Sequence, residues 1–329
     1  MIMHHLSLTA CSFHLRKRNS RGNNYIFPLN LPCDIQVSDK EGSMFHFENM
    51  FEPFYRFFTK NESFLVNDKK QQSIQCIYDS KNDIETDEFK MFCVQIKSGD
   101  YGSSSDILDG TTKKVKYRKG PTDIDVKTFY LMIIFPKDNR RVTVEKGIFL
   151  FQNIGPYGVK TITTNSLQDY FSQAFDLTLR CKTIAPELFI KKVITKDNIK
   201  QLKLVKNKKS SDLADDIHLG YGQEVRILSK LSFSEFRFSE LMQKIRHMAS
   251  NRDSFFEFEE IEYDNLKVVV EIGGRPRTIS LHHLENLSVI EPIPDEIQAP
   301  SGNADFSKLI DHFKLVGEEY LKEMVLRIS

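Results

Sequence analysis

The chain has no tryptophan, and its five cysteines (Cys11, Cys33, Cys76, Cys93 and Cys181) stand at wide, irregular spacings without a C-x-x-C pair. An odd count with no framework excludes a disulfide-stapled secreted scaffold and reads as reduced thiols in a cytoplasmic protein. Metal-binding motifs are missing too. His4–His5 and His282–His283 are adjacent pairs, which a strand points to opposite faces, and neither H-E-x-x-H nor Cys/His zinc spacing occurs. No G-x-S-x-G elbow marks a hydrolase, and Gly99–Gly102 lacks the spacing of a phosphate-binding P-loop. Gly155-Pro156-Tyr157-Gly158 reads as a turn. Long hydrophobic runs are absent: the longest, residues 129–135, is far too short to span a bilayer and predicts a buried strand. Residues 1–8 are interrupted by His4 and His5, and the basic run Arg16-Lys17-Arg18 follows them, the reverse of a signal peptide. These absences predict a soluble cytoplasmic protein without a membrane partner. A net charge of +1 supplies no global field toward nucleic acid, so any such affinity must come from a local patch.

What the sequence does have is phenylalanine. Its 26 Phe and 11 Tyr among 329 residues are enough rings to close a large core. Strand signals recur at 6–15, 64–66, 74–78, 89–97, 113–117, 129–135 and 147–152, which predicts a sheet of about five or six strands. Phe47, Phe51, Phe54 and Phe58 at helical spacing predict a helix over 44–58, kinked or started late by Pro53. Asn165 is the expected N-cap of a second helix over 166–175. A further strand follows at 199–205, then a polar stretch, 206–222, marking a domain boundary. Ser232-x-x-Glu235 suggests a capping box, and 266–281 a hairpin turning at Gly273-Gly274. A helix over 306–326 is capped by Asp305. The fold class expected is α+β: a mainly antiparallel sheet with packed helices over 1–210, then a smaller α/β segment over 211–329 ending in a long helix.

Two constellations carry chemistry. Asp79 at the end of one strand, followed on the next by Gln95-Ile96-Lys97, resembles a variant of the PD-(D/E)xK nuclease core. There a carboxylate holds Mg2+ or Mn2+, the metal activates water, and the lysine supports developing charge. In this chain Gln stands where the second acid belongs, and the alternative is an ordinary strand ending in a turn. Asp123 and Asp125 form a D-x-D, read as a loop. No other cofactor is implied. The stronger electrostatic signal is Lys191, Lys192, Lys196, Lys200, Lys203, Lys206, Lys208 and Lys209, set against the single acid Asp197. Such a strip suits phosphate contacts. Its plainer reading is an edge strand guarded by lysines against aggregation. Lys113, Lys114, Lys116, Arg118 and Lys119 form a second basic segment.

The segments FCVQIKSGDYG (92–102) and KGIFLFQNIGPYGVKT (146–161), then a helix and a lysine-rich strand, resemble uncharacterised bacterial proteins of genomic islands, which often encode phage defence. The resemblance implies a setting and carries over no site residue. The functional expectation is an accessory binding protein contacting nucleic acid or a partner protein through the lysine strip. The alternatives are a metal-dependent nuclease built on Asp79, Gln95 and Lys97, or a purely protein-interaction subunit.

Overall fold

A computed structural model of the chain describes residues 6–17, 26–29, 35–38, 44–47, 50–60, 65–67, 71–137, 144–183, 194–208, 222–250, 256–258, 261–272, 275–280, 290–299 and 303–326. It divides into two compact units, Met1–Lys182 with Ile290–Ser329, and Thr183–Val289. The first unit runs β1 (Leu6–Lys17), β2 (Ile35–Ser38), β3 (Met44–Phe47), α1 (Phe51–Lys60), β4 (Leu65–Asn67), β5 (Gln72–Tyr78), β6 (Ile84–Glu85) and β7 (Phe89–Asp100). It continues through β8 (Ser105–Leu108), β9 (Val115–Lys119), β10 (Asp125–Pro136), β11 (Gly147–Ile154), β12 (Tyr157–Gly158), α2 (Lys160–Ala174) and β13 (Leu177–Thr183). The second unit holds β14 (Ile199–Lys208), β15 (Gly222–Ser229), α3 (Glu235–Ser250), β16 (Phe256–Phe258), β17 (Ile261–Tyr263), β18 (Asn265–Ile272) and β19 (Arg275–Ser280). The chain then returns to the first unit with β20 (Ile290–Pro292) and α4 (Phe306–Leu326).

The fold is α+β, with a ten-stranded sheet in the order β13-β1-β11-β10-β7-β5-β4 and β12, β20 and β6 attached at its sides. The registers β1–β11, β11–β10, β10–β7, β7–β5 and β5–β4 are all antiparallel. Directly opposed residues share a face, so these registers assign both surfaces. Phe13, Phe92, Phe135 and Phe149 lie on one, where α1 covers them. The ring of Phe54 sits 5.2 Å from Phe13, 5.2 Å from Phe135 and 4.7 Å from Phe171 of α2. Met91, Met132, Ile134 and Leu150 lie on the other, against α4. There a Cβ on Gly317 would overlap Ile134 Cδ1 and come within 3.4 Å of Met91 Cε. A sheet covered on both sides needs apolar residues at consecutive positions. That is why 129–135 carries no polar alternation: Phe129, Leu131, Met132, Ile133, Ile134 and Phe135 are all buried.

Several elements differ from the sequence reading. Residues 44–47 are a strand, and α1 starts at Phe51, leaving Pro53 in the first turn, where backbone N–H groups have no intrahelical acceptor. α2 begins at Lys160, with no side-chain cap at Val159. The weakly helical Thr161, Thr163 and Thr164 hide that first turn, which is fixed by burying Thr163 and by Thr164 Oγ1 donating to Lys160 O at 2.8 Å. Ser234, not Ser232, caps α3, accepting from Arg237 N at 3.3 Å. Asp305 caps α4, accepting from Lys308 N at 3.4 Å. β9 does not join the main sheet but pairs with β8 alone. The division between units falls at Lys182/Thr183, not near residue 210. β14 and β15 pair across the polar stretch, Lys206 opposite Glu224, and β20 rejoins β1 with Leu8 opposite Glu291. Among the described residues no helix is long and apolar enough to cross a membrane.

Candidate nucleic-acid interface

The lysine strand is the centre of a four-stranded sheet, β15-β14-β18-β19. Alternation along β14 sends Leu202 and Leu204 into a core with Leu241 and Met242 of α3, Leu266, Val268 and Val270. The opposite face carries Gln201, Lys203 and Val205, of which Val205 is buried, as is Val269 on the same face of β18. Its rows follow from the registers. Ile227, Lys203 and Lys267 stand side by side, as do Ser229, Gln201, Val269 and Thr278. Ile227 is 52% exposed and Val225 45%.

The strip predicted from sequence is therefore split. Lys191, Lys192 and Lys209 lie outside the described residues. Lys196 pairs with Glu235 at 3.1 Å and Lys200 with Glu271 at 3.0 Å, so two cations already have counter-charges. Lys206 stands on the face of Leu202 and Leu204, opposite Glu224, and Lys208 opposite Gly222. Lys203 is on the outer face directly opposite Lys267, with no ion pair to either among the described residues. The edge-guard reading is corrected over 201–205, where β14 is paired with both β15 and β18 and has no open edge to protect; Lys206 and Lys208 lie past that stretch, where β15 is the partner strand among the described residues. Lys267 was missed because β14–β18 pairing, which puts it beside Lys203, leaves no mark on the local sequence.

The residues of the nuclease-like pattern sit at separate stations. Asp79 follows β5 and caps a 3-10 turn over Ser80–Asn82, accepting from Lys81 N at 3.0 Å. Beside it Tyr78 donates to Asp83 at 2.6 Å. Burial raises both the Tyr78 hydroxyl and the Asp83 carboxyl from their ordinary pKa values, and the Asp79 charge adds to each. Tyr78 packs on Phe92, 5.9 Å between ring centroids, on the α1 face of the sheet. Gln95 and Lys97 alternate onto the opposite face, Gln95 across from Tyr130, with which its side chain hydrogen-bonds, and Lys97 across from Thr128. Among the described residues no group of three or more His, Cys, Asp or Glu is placed to hold a metal. Asp123 accepts from Tyr117 and from Gly120 N, and Asp125 pairs with Lys127 at 2.8 Å. The thiols of Cys76, Cys93 and Cys181 are pushed up to about 12 by burial, which leaves them poor nucleophiles.

No protein-family model, curated protein or solved structure matches this chain.

Proposed function

We propose that this is a binding protein for nucleic-acid backbone, acting as an accessory factor, with the outer face of the β15-β14-β18-β19 sheet as a contact surface. The observation that carries the reading is Lys203 opposite Lys267. Like charges directly across a strand pair cost up to about 1 kcal/mol, and a bound phosphate relieves that repulsion. Gln201, Ser229 and Thr278 in the next row are polar side chains suited to phosphate and sugar oxygens. Lys196 and Lys200 are held by Glu235 and Glu271, so they contribute less than their number suggests. A phage-defence setting is consistent with such a role.

The test is fluorescence anisotropy against a short single strand and a short duplex at about 50 and 200 mM salt, the range over which counterion release is pronounced. Each phosphate contact contributes about 0.9 to the log–log salt slope on duplex, so Lys203→Gln with Lys267→Gln should flatten it by about 2, and the melting temperature should rise rather than fall because the like-charge repulsion is gone. Binding that ignores the double substitution removes the reading from this face. No binding at low salt removes it altogether.

A further inference from the structure

Between β7 and β10, two of the three twelve-residue strands of the main sheet, residues 105–119 leave it as a separate two-stranded ribbon. Every residue of β8 is exposed, as are four of five in β9. Isolated two-stranded ribbons are marginal in water, yet both ends of this one are tied down. At the tip, Asp109 accepts from Thr111 N at 3.0 Å, Thr112 N at 2.7 Å and Thr112 Oγ1 at 3.0 Å, and Lys113 Nζ donates to Gly110 O at 2.7 Å. At the base, Tyr117 donates to Asp123, and Lys119 Nζ to Asp100 O at 3.0 Å. The element is held in shape while offering itself to solvent.

Its surface suits a particular ligand. Lys113, Lys114, Lys116, Arg118 and Lys119 face two acids, Asp106 and Asp109, a net +3 in a chain whose total is +1. Of these cations, Arg118 pairs with Asp106 at 3.5 Å, and no ion pair to the other four occurs among the described residues. The register puts Ile107 opposite Tyr117 on one face and, past a bulge, Leu108 opposite Val115 on the other, each residue between 46% and 52% exposed. The two faces are therefore alike, an apolar pair with cations around it. A strip made to lie on a flat protein surface needs one apolar face. A ribbon dressed on both faces and charged along its length suits a groove walled by anions.

We propose that the 105–119 ribbon enters the major groove of B-form DNA. Two strands about 4.8 Å apart make a ribbon that the roughly 12 Å major groove admits. Lys114, Lys116 and Arg118 meet the phosphates of the walls, and the apolar pair on the face turned inward meets thymine methyl groups on the floor. The A-form groove of RNA duplexes is too narrow and deep for such an element. This deepens the backbone-binding reading by naming duplex DNA, and it rests on that reading for the class of ligand alone.

The experiment measures binding of the full chain to a DNA duplex, an RNA duplex of the same sequence, one DNA strand and poly-L-glutamate. It compares wild type with Lys114→Gln/Lys116→Gln/Arg118→Gln and with Lys203→Gln/Lys267→Gln. The expected result is tighter binding to duplex DNA than to duplex RNA. The ribbon variant should weaken duplex-DNA binding at least tenfold and flatten its salt slope by about 2 to 3, with single-strand binding unchanged. If duplex DNA and RNA bind alike and the ribbon variant is neutral while the sheet variant is not, the ribbon proposal fails and the backbone-binding reading stands. If the sheet variant is neutral and the ribbon variant is not, the reverse holds. Poly-L-glutamate binding as tight as duplex DNA and lost with the ribbon charges would identify an acidic-protein seat and overturn the DNA assignment. Absence of duplex binding at low salt overturns it outright.

Discussion

Gly317 sits in the middle of α4, where a glycine costs the helix about 1 kcal/mol relative to alanine. If α4 lay clear of the sheet, Gly317→Ala would stabilise the protein by that amount. In the fold, a Cβ at this position overlaps Ile134 Cδ1 and approaches Met91 Cε at 3.4 Å, both side chains fully buried. Overpacking of a filled core costs about 1–3 kcal/mol, so the sign reverses and the variant should lose up to about 2 kcal/mol. Ile134→Val removes the clashing methyl. Alone it should cost about 0.5–1.5 kcal/mol by leaving a cavity. In the Gly317→Ala background the new Cβ fills part of that space, so the double variant should be more stable than the two single losses imply, with a coupling of about 1 kcal/mol or more. Urea unfolding at unchanged m-value reads all four corners of the cycle. Gly317→Ala more stable than wild type by about 1 kcal/mol, with an additive double variant, would refute the placement of α4 on β7 and β10.

Removing α4 by truncation after Asp305 should abolish cooperative melting and give an aggregating product, because Leu309, Phe313, Val316, Tyr320 and Leu321 are buried and contribute roughly 1.5–3 kcal/mol each; a soluble fragment with an unchanged melt contradicts this. His14 is held below its ordinary pKa of 6.5 by burial first, then by Lys146, Arg16 and Arg180. The unfolded chain therefore takes up the proton sooner, so stability should fall as pH drops below about 6.5, and thermal melts of His14→Asn should lose that slope. Asp79→Ala should cost about 0.5–1 kcal/mol as a lost cap in equilibrium unfolding. The wild-type chain should show no magnesium- or manganese-dependent cleavage of labelled DNA or RNA. Cleavage lost in both Asp79→Ala and Lys97→Ala would reinstate the nuclease reading.

The local patterns that the sequence settled were those with one partner or none. Residues 306–326 read as a helix because apolar residues recur at three and four positions, and 129–135 as a buried strand because no polar residue interrupts them. Both patterns are imposed by burial on a single element, so they survive in one dimension. The α+β class and the 266–281 hairpin were legible for the same reason. Tertiary structure decided which strands stand beside which. The lysine-rich strand looked like an edge and is interior, because its neighbours β15 and β18 lie 14 and 57 residues beyond the strand's end. The 113–117 segment looked like another sheet strand and is half of a free ribbon, since strand propensity does not say what a strand pairs with. Asp79, Gln95 and Lys97 had plausible spacing, but the pleat sends Gln95 and Lys97 away from the face on which Tyr78 and Asp83 meet, and Asp79 is spent on a turn. Conversely, Lys267 is 64 residues from Lys203 and directly opposite it. Side-chain periodicity is a local consequence of burial, whereas register and pairing come from long-range hydrogen bonding and packing, and the juxtaposition of Lys203 and Lys267 is a product of the second.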